Sequence, residues 1–279
     1  MKKFFKKLLF LLLFQNFSYA LVLPENDWIQ ENIKARVKSI KIEKIVYDYE
    51  NKEDKTKRII HFNDKGFKIS EEVYTDEGNA SYKENYKYDN RGLLYTVSDD
   101  TGVVIFDYSY KTDKSGNLIQ IKTKREKSER EFEEEKITYN KNGKKISTEQ
   151  RYGEYKEIIV REGYIYDVKG RLKEIKDELH NNSIINEYRD INKNFISYEM
   201  TTYLSGRIII SYYDKNANRI EEQHFKIDDM DKPVKENHFY YSNTIDNHKN
   251  LLELKIYEVK ADTGSKKLKI LEKRYYEYY

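Results

Sequence analysis

Apolar and polar residues alternate along most of this chain. Tyr82, Tyr86 and Tyr88 fall on one side of an extended backbone, and Lys83, Asn85 and Lys87 on the other. The same alternation groups Val104, Phe106, Tyr108 and Tyr110, then Ile158, Val160, Tyr164 and Tyr166. It returns through Ile208, Ile210 and Tyr212 and again through Leu252, Leu254 and Ile256. A period of two predicts β-strands, and a sheet with one apolar, aromatic face and one charged face. The segment Arg130–Lys136 has little to bury and reads as a loop or an edge. At the amino end, Trp28, Ile29 and Ile33 stand at helical spacing, which predicts a short helix within Asn26–Ala35 before a first strand over Val37–Tyr49. The last stretch, Lys266–Tyr279, alternates through Leu268, Ile270, Tyr276 and Tyr278.

The strands are separated by a repeated signal: an aromatic residue, Asp or Asn, two free positions, then Gly. It reads Phe62-Asn63-Asp64-Lys65-Gly66, Tyr88-Asp89-Asn90-Arg91-Gly92, Tyr139-Asn140-Lys141-Asn142-Gly143 and Tyr166-Asp167-Val168-Lys169-Gly170. Weaker copies stand at Tyr188–Asn192 and Tyr213–Ala217, and a stretched one runs from Tyr110 to Gly116. The final positions 66, 92, 116, 143, 170, 192 and 217 are 22 to 27 residues apart. An Asp or Asn that bonds forward to its own backbone, followed by a Gly at positive φ, closes a short hairpin. A second turn signal lies inside most units, at Asp76–Asn79, Asp99–Gly102, Gly153, Asn181–Ser183 and Ser205-Gly206. Turns therefore fall about every 13 residues, one strand plus one loop. The expected fold is all-β: a long antiparallel meander of repeated β-hairpins over residues 37–279, forming an extended or coiling sheet. A segment over 21–36 with the short helix precedes it.

The units Tyr164-x-Tyr166-Asp167-x-x-Gly170-Arg171-Leu172 and Tyr86-x-Tyr88-Asp89-x-x-Gly92-Leu93-Leu94 resemble the tyrosine–aspartate (YD) repeat of RHS-type bacterial surface and toxin-delivery proteins. With its weaker copies the resemblance spans roughly residues 60–220. It implies coiling β-sheets that enclose a cargo, and it brings no catalytic residue with it. The hairpin repeats of other exported bacterial proteins compare as loosely. In this chain the period is longer, and several units lack the Tyr-Asp pair.

Composition adds a destination. Residues 1–20 carry Lys2, Lys3, Lys6 and Lys7, the apolar run Leu8–Phe14, and small residues at Ser18 and Ala20. That is the order of a secretory signal peptide, and the apolar run is too short for a membrane-spanning helix. Cleavage after Ala20 leaves 259 of the 279 residues, and the formal charge falls from +3 to −1. A near-neutral protein has no basic surplus for phosphates, which argues against nucleic acid. The chain has no cysteine, so disulfides, thiol nucleophiles and cysteine zinc sites are excluded. Hydrophobic residues are 38% and charged residues 36%, a thin core for this length, yet 27 Tyr and 12 Phe are too many aromatics for a disordered chain.

Chemistry is sparse. The sequence holds no HExxH, G-x-S-x-G, P-loop or dinucleotide fingerprint, and no cofactor is expected. Of five histidines, two suggest a metal site. If strands 219–227 and 234–241 pair about residue 231, His224 faces His238, with Glu222 and Glu236 on the same face, a set able to share a divalent ion. A one-residue slip separates the two rings. The tyrosines have a structural reading, as cross-strand partners of Lys and Glu, and a functional one, as a platform for a glycan or a protein. The function expected first is an exported, non-enzymatic β-repeat protein, periplasmic, cell-surface or extracellular, that binds partners or builds a surface. A secreted or periplasmic enzyme of unrecognised type is the alternative. An outer-membrane β-barrel is the third reading, supported by the terminal aromatic strand and opposed by charged strands such as the segment after Thr123.

Overall fold

The computed structural model describes residues 27–31, 33–48, 50–75, 80–125, 134–152, 157–180, 182–192, 195–203, 206–214, 218–228, 232–260 and 263–279. The expected signal peptide, residues 1–20, and its cleavage site lie outside them. A single helical turn, α1 (Asp27–Gln30), precedes eighteen strands. They are β1 (Val37–Tyr47), β2 (Glu53–Phe62), β3 (Lys68–Tyr74), β4 (Ala80–Tyr88), β5 (Leu94–Ser98), β6 (Val104–Thr112), β7 (Leu118–Lys124), β8 (Glu134–Tyr139) and β9 (Lys145–Tyr152). The second half holds β10 (Glu157–Tyr166), β11 (Leu172–Asp177), β12 (Asn182–Asn192), β13 (Phe195–Tyr203), β14 (Arg207–Tyr213), β15 (Arg219–Ile227), β16 (Pro233–Ile245), β17 (Leu251–Val259) and β18 (Lys266–Tyr278). Each strand pairs antiparallel with the next, as the meander predicts.

The turns are built as the repeat requires. Asp89 N–H donates to Leu93 O, Gly92 N–H donates to Asp89 O, and Asp89 Oδ1 accepts from the N–H groups of Arg91 and Leu93. Gly92 has φ 83°, a region that a Cβ disfavours. The same bonds recur at Asn63, Asp99, Asp113, Asn140 and Asp167. Two further copies replace the glycine: Asn51 (φ 62°) after Asp48, and Lys249 (φ 67°) after Asp246. The repeat thus continues past Pro233, where the sequence shows only a longer polar loop. Because one repeat is two strands, the turns begun by Asn63, Asp89, Asp113, Asn140, Asp167, Asp214 and Asp246 all lie on one rim, here the motif rim.

The sheet closes. β1 pairs with β2 on one side and with β18 on the other, with Ile40 opposite both Ile60 and Tyr276. The extended or coiling sheet expected from sequence is therefore an eighteen-stranded barrel without an open edge. At about 4.8 Å per strand its wall is about 86 Å around before tilt, too wide for side chains to fill. That is why the apolar core is small. A cluster of buried residues, Ile33, Val37, Ile40, Ile42, Ile60 and Phe62, sits where α1 and the residues after it pack on β1 and β2, with Trp28, Tyr276 and Tyr278 against it.

Following the pairing from strand to strand separates two faces. One carries Ile40, Ile60, Glu71, Tyr86, Val97, Phe106, Tyr108, Gln120, Thr148, Tyr164, Ile209, Glu222, Tyr241 and Arg274. This face holds the amino-terminal segment and a cavity reaching across five strands, as the concave side of a closed sheet does. We call it the inner wall. Ile208, Ile210 and Tyr212, expected on the aromatic face, point outward, because β14 enters the ladder with Ile209 opposite Thr201. Bulges also turn Ile158 out of the row of Val160, Tyr164 and Tyr166.

The phenols stitch one unit to the next. The ladder shifts register at Lys68, Leu94, Lys145, Leu172 and Leu251, each the first strand residue after a motif-rim turn. At all five the carbonyl accepts a hydrogen bond from a tyrosine on the following strand: Tyr88, Tyr110, Tyr166, Tyr188 and Tyr276, at 2.6–2.9 Å. At the shift beside Arg219, Asn243 Nδ2 takes the same part at 2.8 Å. β6 and β7 pair without a shift, and there Tyr139 turns instead to Gln120 Oε1. The tyrosines of the repeat satisfy carbonyls that the bulges withdraw from the ladder.

Candidate functional site

The inner wall below the motif rim encloses a cavity of about 190 Å³. Five rings line it: Phe67, Tyr88, Tyr108, Tyr110 and Tyr139. Asp27 and Gln120 supply polar atoms. Phe67 follows a turn glycine and meets the Tyr88 ring at 5.1 Å. Tyr88 and Tyr110 are held by the bulge carbonyls of Lys68 and Leu94. Asp27 Oδ2 accepts from Lys68 N at 2.6 Å and from Tyr88 Oη at 3.3 Å, fixing α1 over the cavity. The Tyr108 hydroxyl makes no hydrogen bond among the described residues. Burial pushes the phenols of Tyr88, Tyr108 and Tyr110 well above their ordinary value, and that of Tyr139 up to about 12. These phenols are therefore protonated and uncharged at physiological pH.

Elsewhere the rings carry cations of their own. Lys122 Nζ stands 3.9 Å from the centre of the Phe106 ring, Lys145 Nζ 4.3 Å from Tyr164, and Arg171 4.5 Å from Tyr188. Arg219 lies beside both Tyr213 and Tyr241. A second depression of about 260 Å³, nearer the opposite rim, is lined by Phe106, Lys122, Lys124, Glu135 and Gln150 among others and mixes both signs of charge.

Two buried carboxylates of the inner wall, Glu71 and Glu222, are paired. Glu71, 5% exposed, accepts from Arg58 Nε and Lys68 Nζ, both at 2.7 Å. Burial pushes its carboxyl up, but the bonds to Lys68 and Arg58 outweigh this and hold it below the usual range. Glu222 joins Arg219 and His224, at 2.5 and 2.6 Å.

The histidine pair expected from sequence is not brought together. β15 and β16 pair with His224 opposite Asn237 and His238 opposite Gln223, one residue from the expected register. His224 therefore lies on the inner wall with Glu222, whereas His238 lies on the outer face and meets Glu221 at 2.7 Å. Glu236 is exposed, at the bulge that shifts the register. Among the described residues no group of three or more metal-ligating side chains gathers. The rings of the cavity come from β4, β6, β8 and the turn before β3. Alternation placed Tyr88, Tyr108 and Tyr110 on the aromatic face, but Phe67 and Tyr139 stood in no alternating row, and the convergence of the five depends on curvature across five strands.

No protein-family model matches this chain, and no curated protein sequence matches it. Solved structures do. A porin-like protein from Bacteroides uniformis aligns over 86% of this chain and 96% of its own, at 9% identity and a TM-score of 0.48. The Tc holotoxin pore of Photorhabdus luminescens aligns over 80% of this chain, at 9% identity and a TM-score of 0.32, and this chain spans 15% of it. At TM-scores under 0.5 these likenesses carry no argument about function.

Proposed function

We propose that this protein is an exported β-barrel of the bacterial envelope that works by binding, with the tyrosine-rich inner wall as its contact surface for a glycan or a protein segment. The observation that carries the reading is the closed ladder with an aromatic inner wall. The signal-like order of residues 1–20 supports export, and sequencing the amino terminus of protein from the producing cell, with Leu21 expected first, checks it. The YD-like turns support kinship with bacterial surface proteins at the level of the hairpin.

Whether the wall faces water or lipid is decided by its outer rows. Lys41, Lys57, Lys83, Lys136, Arg161, Lys176, Lys255 and Lys273 stand on the outer face within strands. A Lys or Arg facing lipid at the bilayer midplane costs about 2–4 kcal/mol. Those rows favour a barrel wetted on both sides. The closure of β1 on β18 favours the second reading, an outer-membrane barrel. No helix among the described residues is long and apolar enough to cross a membrane, which bears on neither reading. Fractionation separates them. A water-wetted barrel leaves the membrane pellet after carbonate or urea washing and purifies without detergent, whereas retention in the washed pellet overturns it.

A further inference from the structure

We propose that the cavity bounded by Phe67, Tyr88, Tyr108, Tyr110 and Tyr139 is a cage for an organic cation, the quaternary ammonium or guanidinium group of a ligand or partner side chain. This names a ligand class for the binding barrel proposed above and rests on that reading. The barrel covers several of its inward rings with its own Lys and Arg side chains, as at Phe106, Tyr164, Tyr188, Tyr213 and Tyr241. Around this cavity it does not: among the described residues, no cation stands over any of its five rings. The formal charge in the lining is the carboxylate of Asp27, which makes no ion pair there.

Several aromatic rings and one unneutralised carboxylate around a small concavity form an electrostatic well for a weakly hydrated cation. The ring quadrupoles attract it, and a bulky ammonium loses little hydration on entering. The rings are preorganised, because the phenols of Tyr88 and Tyr110 are tied to backbone carbonyls and that of Tyr139 to Gln120. A neutral sugar would stack on the same rings but would gain nothing from the charge, so a charged and a neutral ligand of one shape distinguish the two.

The test is calorimetric and NMR titration of the full exported chain with choline, beside 3,3-dimethyl-1-butanol, its uncharged isostere. The expected result is saturable choline binding with upfield-shifted N-methyl protons, and isostere binding at least about tenfold weaker. Asp27→Asn and Tyr108→Leu should each weaken choline, while Tyr108→Phe, which keeps the ring, should bind it like the parent. Equal binding of choline and its isostere would overturn the cage, as would the absence of saturable choline binding or an affinity unmoved by Tyr108→Leu. Failure of the cage in a protein that washes free of membranes leaves the water-wetted barrel standing. Retention in the washed pellet tells against that barrel whatever choline does.

Discussion

Replacing Tyr110 by Phe removes one oxygen and leaves the ring in place. In the barrel that oxygen donates at 2.8 Å to the carbonyl of Leu94, where the ladder between β4 and β5 shifts register. A neutral hydrogen bond contributes about 1 kcal/mol net, and leaving a half-buried carbonyl unpaired adds part of its desolvation cost, so the expected loss is about 1–2 kcal/mol. Tyr108, two residues earlier on the same face, has no partner for its hydroxyl among the described residues. Tyr108→Phe should stay within about 0.5 kcal/mol of the parent. For a urea m-value near 3 kcal/mol/M, Tyr110→Phe lowers the unfolding midpoint by about 0.3–0.7 M while Tyr108→Phe leaves it in place. Tyr188→Phe and Tyr276→Phe, which release the carbonyls of Leu172 and Leu251, should follow Tyr110→Phe. Equal midpoints for the Tyr108 and Tyr110 variants would refute the stitching of units by phenols.

Gly92→Val should cost about 1–2 kcal/mol, because a β-branched residue fits φ 83° badly, whereas Val at the exposed Lys173 should be nearly neutral in the same melts. Lys249→Gly tests the same rule with the opposite sign: at φ 67° the substitution should stabilise by about 0.5–1 kcal/mol. Glu71→Gln removes the carboxylate shared by Arg58 and Lys68 and should cost about 2 kcal/mol by urea unfolding at neutral pH; the difference is full above the ordinary carboxylate range and shrinks only as pH falls below it, through the depressed range in which the folded parent carboxyl takes up its proton. Alkali should weaken the barrel. Burial raises the phenols of Tyr139, Tyr164 and Tyr276 to about 12, so the folded state keeps protons that the unfolded chain releases near pH 10. That stability is complete below about pH 10 and drains away as pH rises towards 12; urea midpoints that stay constant to pH 11.5 would contradict it.

Local chemistry was legible in the sequence and curvature was not. Asp89 and Gly92 announce their turn because the side-chain bonds and the positive φ are properties of five consecutive residues. The turn at Asp246 is equally regular but hides its left-handed position under Lys249. Alternation placed Tyr82, Tyr86 and Tyr88 correctly on one face, yet misassigned Ile208 and Ile210, since which face a strand presents depends on every bulge before it. The register of His224 and His238 failed for the same reason: a bulge at Glu236 moves one strand by a residue, and no residue type marks it. Closure is least local of all, because β1 meets β18 only after the twist of seventeen intervening pairings has accumulated.

One rim collects the turns begun by Asn63, Asp89, Asp113, Asn140, Asp167, Asp214 and Asp246 because each repeat leaves and returns at the same end of the barrel. A duplicated or lost repeat therefore inserts or removes an up-and-down pair and preserves the orientation of every other strand and the meeting of first with last. Girth becomes a matter of copy number. Each added unit would widen the wall by about 10 Å of circumference, some 3 Å of diameter, while a change of a single strand would set β1 and β18 side by side in parallel. A gene that grows by tandem duplication of such units can tune the bore of its product in small, even steps, and relatives of sixteen or twenty strands are the sizes that this construction permits.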